Sequence, residues 1–97
     1  MHAAALVMEL HLPESGSLKE KRSVIRHLLD TSRRRFSVSA SEVDHQDLHQ
    51  RAALAFAVVA PTAGRVEEVL DRIERFVWSE PRVVVLSSAR HWLDLEP

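Results

Sequence analysis

The hydrophobic residues of this 97-residue chain change their spacing in a fixed order, and this order constrains the fold more than any single motif does. Residues 3–12 alternate with a period of two, which is typical of a strand with two different faces. One face carries Leu6, Met8, Leu10 and Leu12, and the other carries Ala5, Val7, Glu9 and His11. The stretch from Pro13 to Gly16 ends the strand, because proline and glycine favour turns.

A helical spacing begins at Ser17. Its hydroxyl can accept a hydrogen bond from the amide of Glu20 while the Glu20 carboxylate reaches back, an arrangement known as a capping box. Apolar residues then recur at helical spacing through about Arg35, and these are Leu18, Ile25, Leu28, Leu29 and Phe36. The segment is therefore predicted to be an amphipathic helix.

Two strands joined by a polar connection are predicted next. Residues 37–43 have no helical stripe and are weakly apolar, which favours a short strand at a sheet edge. Residues 44–50 are polar and predict a hairpin connection. Residues 51–60 alternate again, with Ala52, Leu54, Phe56 and Val58 on one face and Ala53, Ala55, Ala57 and Val59 on the other.

The last third of the chain predicts a second helix and a final strand. Thr62 is the expected N-cap, and Pro81 stops the helix. The apolar stripe consists of Val66, Val69, Leu70, Ile73, Phe76 and Val77. Residues 83–86 predict the last strand, and the tail from Ala89 to Pro97 contains Trp92, Leu93 and Leu95, which make it too apolar to be simply solvated.

The predicted order is βαββαβ, which is the order of the ferredoxin-like fold in the α+β class. Right-handed crossovers place both helices on one face of a four-stranded antiparallel sheet, so the larger strand side chains face the helices. Strands one and three are then central, and strands two and four are edges. No linker or low-complexity segment interrupts the chain, so residues 1–97 are predicted to form a single domain.

The sheet face away from the helices is predicted to be small and apolar, with Ala5, Val7, Ala53, Ala55, Ala57 and Val59. A flat apolar patch of this kind is seldom left exposed on a monomer. Either the tail with Trp92, Leu93 and Leu95 folds across it, or a second subunit stacks on it, and we favour a homodimer. The face lacks the aromatic rings on which RRM domains stack bases, so any RNA contact is expected at the helices and loops.

The composition narrows the class of protein. The chain has no cysteine, which excludes disulfides and thiolate metal sites. It shows no signal peptide and no apolar run long enough to cross a bilayer, so we expect a cytoplasmic protein without membrane contact. The net charge is −1, so bulk charge does not indicate a polyanion binder, and nothing indicates DNA specificity.

The first helix nevertheless concentrates positive charge. Residues 17–36 contain seven basic residues against two acidic ones, a net charge of +5. The candidates for nucleic-acid contact are Lys19, Lys21, Arg22, Arg26, Arg33 and Arg34. Four of them, Lys19, Arg22, Arg26 and Arg33, are expected on a broad solvent side, where cations attract phosphate and release counterions. The alternative is a solvated helix face whose C-terminal arginines favour the helix dipole.

The hairpin connection is the best candidate for chemistry. Its polar candidates are Asp44, His45, Gln46, Asp47, His49 and Arg51. Such groups can bind a divalent metal, but there is no third ligand cluster elsewhere in the sequence, and a polar turn whose side chains satisfy backbone amides is the alternative. No nucleophile with a paired base and no glycine-rich phosphate loop is visible. We therefore predict no catalytic residues, no metal, no cofactor and no enzyme activity.

Three segments resemble the YlxP-like family of small bacterial proteins of unknown function. They are residues 18–23 (LKEKRS), residues 42–52 (EVDHQDLHQRA) and residues 66–70 (VEEVL), and the resemblance covers nearly the whole chain. Val-Asp-His-Gln-Asp-Leu followed by Gln-Arg-Ala is its most specific part, and His49 stands where many relatives have tryptophan. The resemblance implies genes that lie beside those for a ribosome-binding factor and a translation initiation factor, and it implies no established activity.

Three functional hypotheses follow. The first is a non-enzymatic accessory factor that contacts RNA or a ribosome-linked assembly through the basic first helix. The second is a homo-oligomeric small-ligand or regulatory module that uses the Asp44–His49 hairpin at a subunit interface. The third is a metal-dependent hydrolase or nuclease with Asp44, His45 and Asp47 around the metal.

Overall fold

The computed structural model describes residues 1–93, and its six elements follow the predicted βαββαβ order. They are β1 (His2–His11), α1 (Leu18–Phe36), β2 (Ser39–Asp44), β3 (Arg51–Ala60), α2 (Ala63–Trp78) and β4 (Val84–Trp92). The four strands form one antiparallel sheet in the order β2-β3-β1-β4, so β1 and β3 are central as predicted. The ferredoxin-like α+β fold is thereby confirmed.

The two central strands divide their side chains as the alternation predicted. Leu6 lies opposite Phe56 and Met8 lies opposite Leu54, and all four are fully buried. The core forms where Val66, Leu70 and Ile73 of α2 and Leu28 of α1 pack against this side of the sheet in one buried hydrophobic cluster. A buried side chain of this size contributes about 1.5–3 kcal/mol, so this side of the sheet supplies most of the apolar stabilisation.

Side-chain caps begin both helices. Ser17 Oγ accepts from the amide of Glu20 at 3.1 Å, and Thr62 Oγ1 accepts from the amide of Arg65 at 3.1 Å. The Glu20 carboxylate accepts from the amide of Gly16 at 2.7 Å, one residue before the N-cap, so the capping box is shifted by one position. Caps of this kind satisfy amides that have no partner within the helix.

The last strand is longer than predicted. β4 continues to Trp92, which pairs with Ala4, whereas the sequence predicted only residues 83–86. The prediction was too short because Ser88 and Arg90 interrupt the apolar run, yet both are satisfied on the helix side by Glu74 of α2. Asp71 completes the contact at 2.6 Å, and its hydrogen bond raises the pKa of Arg90.

Residues 89–92 of the predicted tail belong to β4 and so do not fold across the sheet. Trp92 lies opposite Ala4, whose side chain is buried on the helix side, so the register places Trp92 on that side as well. Leu93 follows it directly with its amide bonded to the carbonyl of Ala3, and Leu95 lies outside the described residues.

Neither of the helices in residues 1–93 has the length and apolar content that crossing a membrane requires.

Candidate functional site

Four cations of α1 lie along one side of the helix. At 100° per residue, Lys19, Arg22, Arg26 and Arg33 fall within about 60° of one another. All four are exposed, as the sequence predicted. With a rise of about 1.5 Å per residue, the set covers about 21 Å of helix length. We call these four residues the α1 stripe.

A groove runs between the α1 stripe and the edge strand β2. It has a volume of about 370 Å³ and is lined by Arg22, Ile25, Arg26, Leu29, Asp30, Arg33 and Glu42. Arg33 is held in place by Asp30, whose Oδ1 accepts from Nη1 at 3.0 Å, and by the carbonyl oxygen of Ala40. Among residues 1–93, no carboxylate lies within ion-pair distance of the other three members of the stripe.

Lys21 is a correction to the predicted basic surface. Its side chain is 1% exposed, because it lies on the side of α1 that carries Val24 and Leu28. Nζ lies 2.7 Å from Glu42 Oε2 and donates to the carbonyl oxygen of His45 at 2.6 Å. The contact with Glu42 is an ion pair outside hydrogen-bond geometry. A buried charge must be paired, so Lys21 ties α1 to the hairpin and is not available to a polyanion.

The last turn of α1 holds two further arginines away from the stripe. Arg34 is exposed, and its guanidinium approaches Thr31 Oγ1 at 3.5 Å. The Arg35 guanidinium lies 5.9 Å from the ring centroid of Phe36 and 5.3 Å from that of Phe76. Cations at this end of a helix are favoured by the dipole and by aromatic faces, so both arginines stabilise the helix end.

The hairpin candidates are organised by Glu9 of β1. Glu9 Oε2 accepts from Arg51 Nη2 at 3.1 Å and lies 3.1 Å from His45 Nε2. All three side chains are partly exposed on the sheet face remote from the helices, near the end of β1. We call Glu9, His45 and Arg51 the Glu9 cluster. Its carboxylate is shared by two nitrogen groups, so the predicted candidates His45 and Arg51 are engaged within the protein.

His45 connects the two layers of the molecule. Its ring contacts Glu9 on the open side of the sheet, and its carbonyl oxygen accepts from Lys21 on the helix side. Its φ of 64° lies in the left-handed region, which costs a residue other than glycine about 1 kcal/mol. Asp44 Oδ1 accepts from the amide of His45 at 2.8 Å and so supports this turn.

The other hairpin candidates point outward. Gln46, Asp47 and His49 are exposed, and their side chains form no hydrogen bond or ion pair with another of the described residues. Across residues 1–93, no three His, Asp or Glu side chains are grouped closely enough to hold a metal ion. The tip therefore presents separate polar groups rather than a ligand cage.

Glu9 and Glu42 hold side chains of the candidate site in place, although the sequence pattern predicted no role for either. For Glu9 a signal existed, since it is an acidic side chain in an outward set that otherwise begins with Ala5 and Val7. Its partners follow from the register, in which Glu9 lies opposite Ala53 and next to the pair formed by His11 and Arg51. Glu42 gave no comparable signal, because its partner Lys21 is 21 residues away in the sequence.

The sheet face without helices is apolar over most of its centre. Its β1 and β3 residues, which we call the open face, are Ala3, Ala5, Val7, Ala53, Ala55, Ala57 and Val59. Val59 is 67% exposed and Ala57 is exposed as well. A hollow of about 430 Å³ at the Val59 end is bounded also by Trp92 and Leu93. Ala53 is buried, whereas Ala3, Ala5, Val7 and Ala55 are partly exposed, and no helix among residues 1–93 packs on this face.

The fold defines a ferredoxin-like α+β domain, and a solved structure supports this class. A de novo designed protein with a ferredoxin fold (LFR1 1), determined by solution NMR, superposes with a TM-score of 0.59. The match covers 99% of this chain and 89% of the designed protein at 10% sequence identity. At that identity the likeness shows the fold alone.

Sequence comparison identifies the family. The family described as "Protein of unknown function (DUF503)" matches residues 3–90. The uncharacterized protein YlxP of Bacillus subtilis (strain 168) is 34% identical over 79 residues, which cover 81% of this chain and 86% of that protein. The chain therefore belongs to this family of unknown function, and the resemblance to YlxP-like proteins is confirmed.

Proposed function

We propose that the protein is a non-enzymatic accessory factor that contacts RNA phosphates through the α1 stripe. The single observation that carries the proposal is the set of exposed cations on one side of α1. Lys19, Arg22 and Arg26 have no carboxylate partner among residues 1–93, and the stripe borders an open groove. The proposal omits Lys21, which is buried.

The chemistry of the stripe fits a phosphate backbone. A guanidinium presents several N–H donors in a planar fork that matches phosphate oxygens, and fixed cations release counterions from a polyanion. The groove adds the apolar side chains of Ile25 and Leu29 between the arginines. These features support contact with the backbone rather than recognition of particular bases, because the residues that line the groove are cations, two apolar side chains and two carboxylates.

The composition of the open face also favours α1, and not the sheet, as the place of RNA contact. Its alanines and valines offer no aromatic ring. An RRM domain binds single-stranded RNA by stacking bases on aromatic rings of its sheet. The link to a ribosomal assembly rests on the gene neighbourhood implied by the family resemblance.

Salt-dependent binding of ribosomal RNA tests the proposal. The variant Arg22→Glu/Arg26→Glu is compared with Arg65→Glu/Arg75→Glu, which changes the net charge equally on exposed positions of α2. We expect the α1 variant to lose about tenfold or more in affinity and to lower the salt slope by about 2, since each phosphate contact contributes about 1. Equal affinities of the two variants, or binding without salt dependence, would refute the proposal.

The small-ligand alternative draws less support from the hairpin. His45 and Arg51 already share the carboxylate of Glu9, so a ligand would have to displace an internal ion pair. The hydrolase alternative would need Asp44, His45 and Asp47 around a metal, and these three do not form a group of metal-binding spacing. Thermal-shift measurements with divalent metals and metabolites test both, and a reproducible rise in Tm would revive them.

A further inference from the structure

The side of the sheet remote from the helices approaches the size that an interface between two copies requires. Strands of ten, six, ten and nine residues, about 4.8 Å apart and with a rise of about 3.3 Å per residue, give a sheet face of about 550 Å² before side-chain relief is added. A stable interface buries about 800 Å² of accessible surface on each partner. The open face reaches this size only together with its neighbours on the same side of the edge strands, such as Ser41 of β2 and Ala89 of β4, and with Leu93 at the hollow.

The charges of this side of the sheet suit a second copy of the same chain. A two-fold interface brings each charge close to its own duplicate, so unpaired charges of one sign would oppose it. The Glu9 cluster places the Glu9 carboxylate 3.1 Å from both Arg51 and His45, so its charge is balanced within one chain. The α1 stripe, by contrast, would repel its own copy.

The shape of the open face fits sheet-on-sheet packing. Alanine predominates on it, and Val7 and Val59 are its largest members. Small side chains allow two sheets to approach to about 10 Å, and the valines of one sheet can then fill the space above the alanines of the other. An exposed patch of this composition is typical of a protein interface.

We propose that the protein forms an isologous homodimer in which the open faces of two chains stack against each other. The helices of both copies then lie on the outer surfaces of the dimer. The two α1 stripes are therefore exposed on opposite sides and remain free to bind a polyanion. This inference goes beyond the proposed RNA contact and does not depend on it, because a dimer can form whether or not the stripe binds RNA.

Sedimentation equilibrium over a concentration series is the first test. We expect the wild-type chain to be a dimer with a Kd of about 1 μM or below. Val59→Glu buries an unpaired carboxylate in the interface and should weaken the dimer at least about tenfold. Trp78→Glu is the matched control, because Trp78 is similarly exposed at 62% but lies on α2. It should leave the dimer unchanged.

Cysteine cross-linking gives a readout that does not depend on destabilising the fold. The chain has no cysteine, so a single introduced thiol reports on one position. Ala55→Cys and Ala57→Cys should be joined in high yield by a bismaleimide about 10 Å long, which is the spacing of stacked sheets. Glu67→Cys on α2 should not be cross-linked under the same conditions, although the chain still dimerises.

Three results would overturn the inference. The first is a wild-type chain that stays monomeric at about a hundred times the expected Kd. The second is a dimer that is equally stable in Val59→Glu and in wild type. The third is a dimer in which a thiol at the β4 edge, such as Ser87→Cys, cross-links while those at Ala55 and Ala57 do not, since this would indicate pairing of edge strands instead of stacked faces.

Discussion

The two helices pack on the same face of the sheet but differ in how their charges are paired. In α2, Glu68 pairs with Arg65 at 3.0 Å and with Arg72 at 2.9 Å, and Asp71 and Glu74 hold Arg90 of β4. In α1, the inward cation Lys21 is buried and paired, while most of the outward stripe has no carboxylate partner among residues 1–93. Most charges of α2 are therefore paired within the chain, whereas those of α1 are divided between a buried pair and a free surface.

The largest expected effect concerns the inward side of α1. Lys21→Ala should lower the free energy of unfolding by about 3 kcal/mol, because it leaves Glu42 and the carbonyl oxygen of His45 without their cation. This equals the cost expected for the apolar truncation Ile73→Ala in α2. Urea denaturation measures both, and the adjacent Arg22→Ala should change stability by less than about 0.5 kcal/mol. A loss below about 1 kcal/mol in Lys21→Ala would contradict the anchoring role.

The next effect lies just after α2 and depends on pH. Hydrogen bonds from Arg82 lower the pKa of Glu80 from 4.5 to about 2, and His27 adds a weaker attraction at 3.8 Å. Because the folded-state pKa is lowered, the stabilisation is present above about pH 4.5 and is lost as the pH falls towards 2. Arg82 is half exposed, so solvent screening reduces the contribution to about 1.5 kcal/mol.

Arg82→Ala isolates this contribution. At pH 7 the variant should be less stable than wild type by about 1.5 kcal/mol, and at about pH 2 the two should converge. Urea denaturation at both pH values provides the measurement. A stability difference that is the same at both pH values would mean that Arg82 acts through packing rather than through Glu80.

The N-caps of α1 and α2 should contribute equally to stability, so they serve as a control for the comparison of the two helices. Ser17→Ala and Thr62→Ala each remove one side-chain acceptor from a helical amide at 3.1 Å. Each should cost about 1 kcal/mol in thermal or urea unfolding. If Ser17→Ala costs much less than Thr62→Ala, the contact from Glu20 to the amide of Gly16 compensates at the start of α1.

The smallest expected effect comes from removing a carboxylate of α2, so that cations of α2 become unpaired like those of the α1 stripe. Glu68→Gln releases Arg65 and Arg72 from their shared carboxylate, and the stability should change by less than about 0.5 kcal/mol because the pairs are half exposed. If unpaired cations determine RNA contact, the variant should bind ribosomal RNA about twofold more tightly at low salt. Binding equal to that of wild type would show that the position of the cations matters more than their number.

Most of the fold was predictable from residue spacing. The alternation in β1 and β3 identified the buried face, and Ser17 and Thr62 marked the helix starts, because these signals act between residues close in sequence. The extent of β4 was not predictable in the same way. In the sequence, Ser88 and Arg90 interrupt the apolar run. Their contacts with α2, which are absent from the local pattern, accompany the continuation of the strand.

The candidate site was likewise predictable only where local spacing determines it. The exposed positions of Arg22 and Arg26 followed from their angle on the helix, whereas counting charges placed Lys21 wrongly on the same surface. One step of 100° separates Lys21 from Arg22, and that step moves a side chain from solvent into the layer between helix and sheet. The role of Glu9 depended on strand register, which the spacing along one strand does not contain.

The sequence by itself determined the order of elements, the two faces of the sheet and the concentration of cations on α1. These properties depend on local periodicity, which is set by the backbone geometry of helices and strands. The tertiary structure decided which charges are paired, through contacts between residues far apart in the sequence, such as Lys21 with Glu42 and Glu9 with Arg51. The role of a charged side chain depends on its burial and on its partner in the folded chain. The exposed cations of α1 could therefore be separated from Lys21 only once the buried position of Lys21 was known.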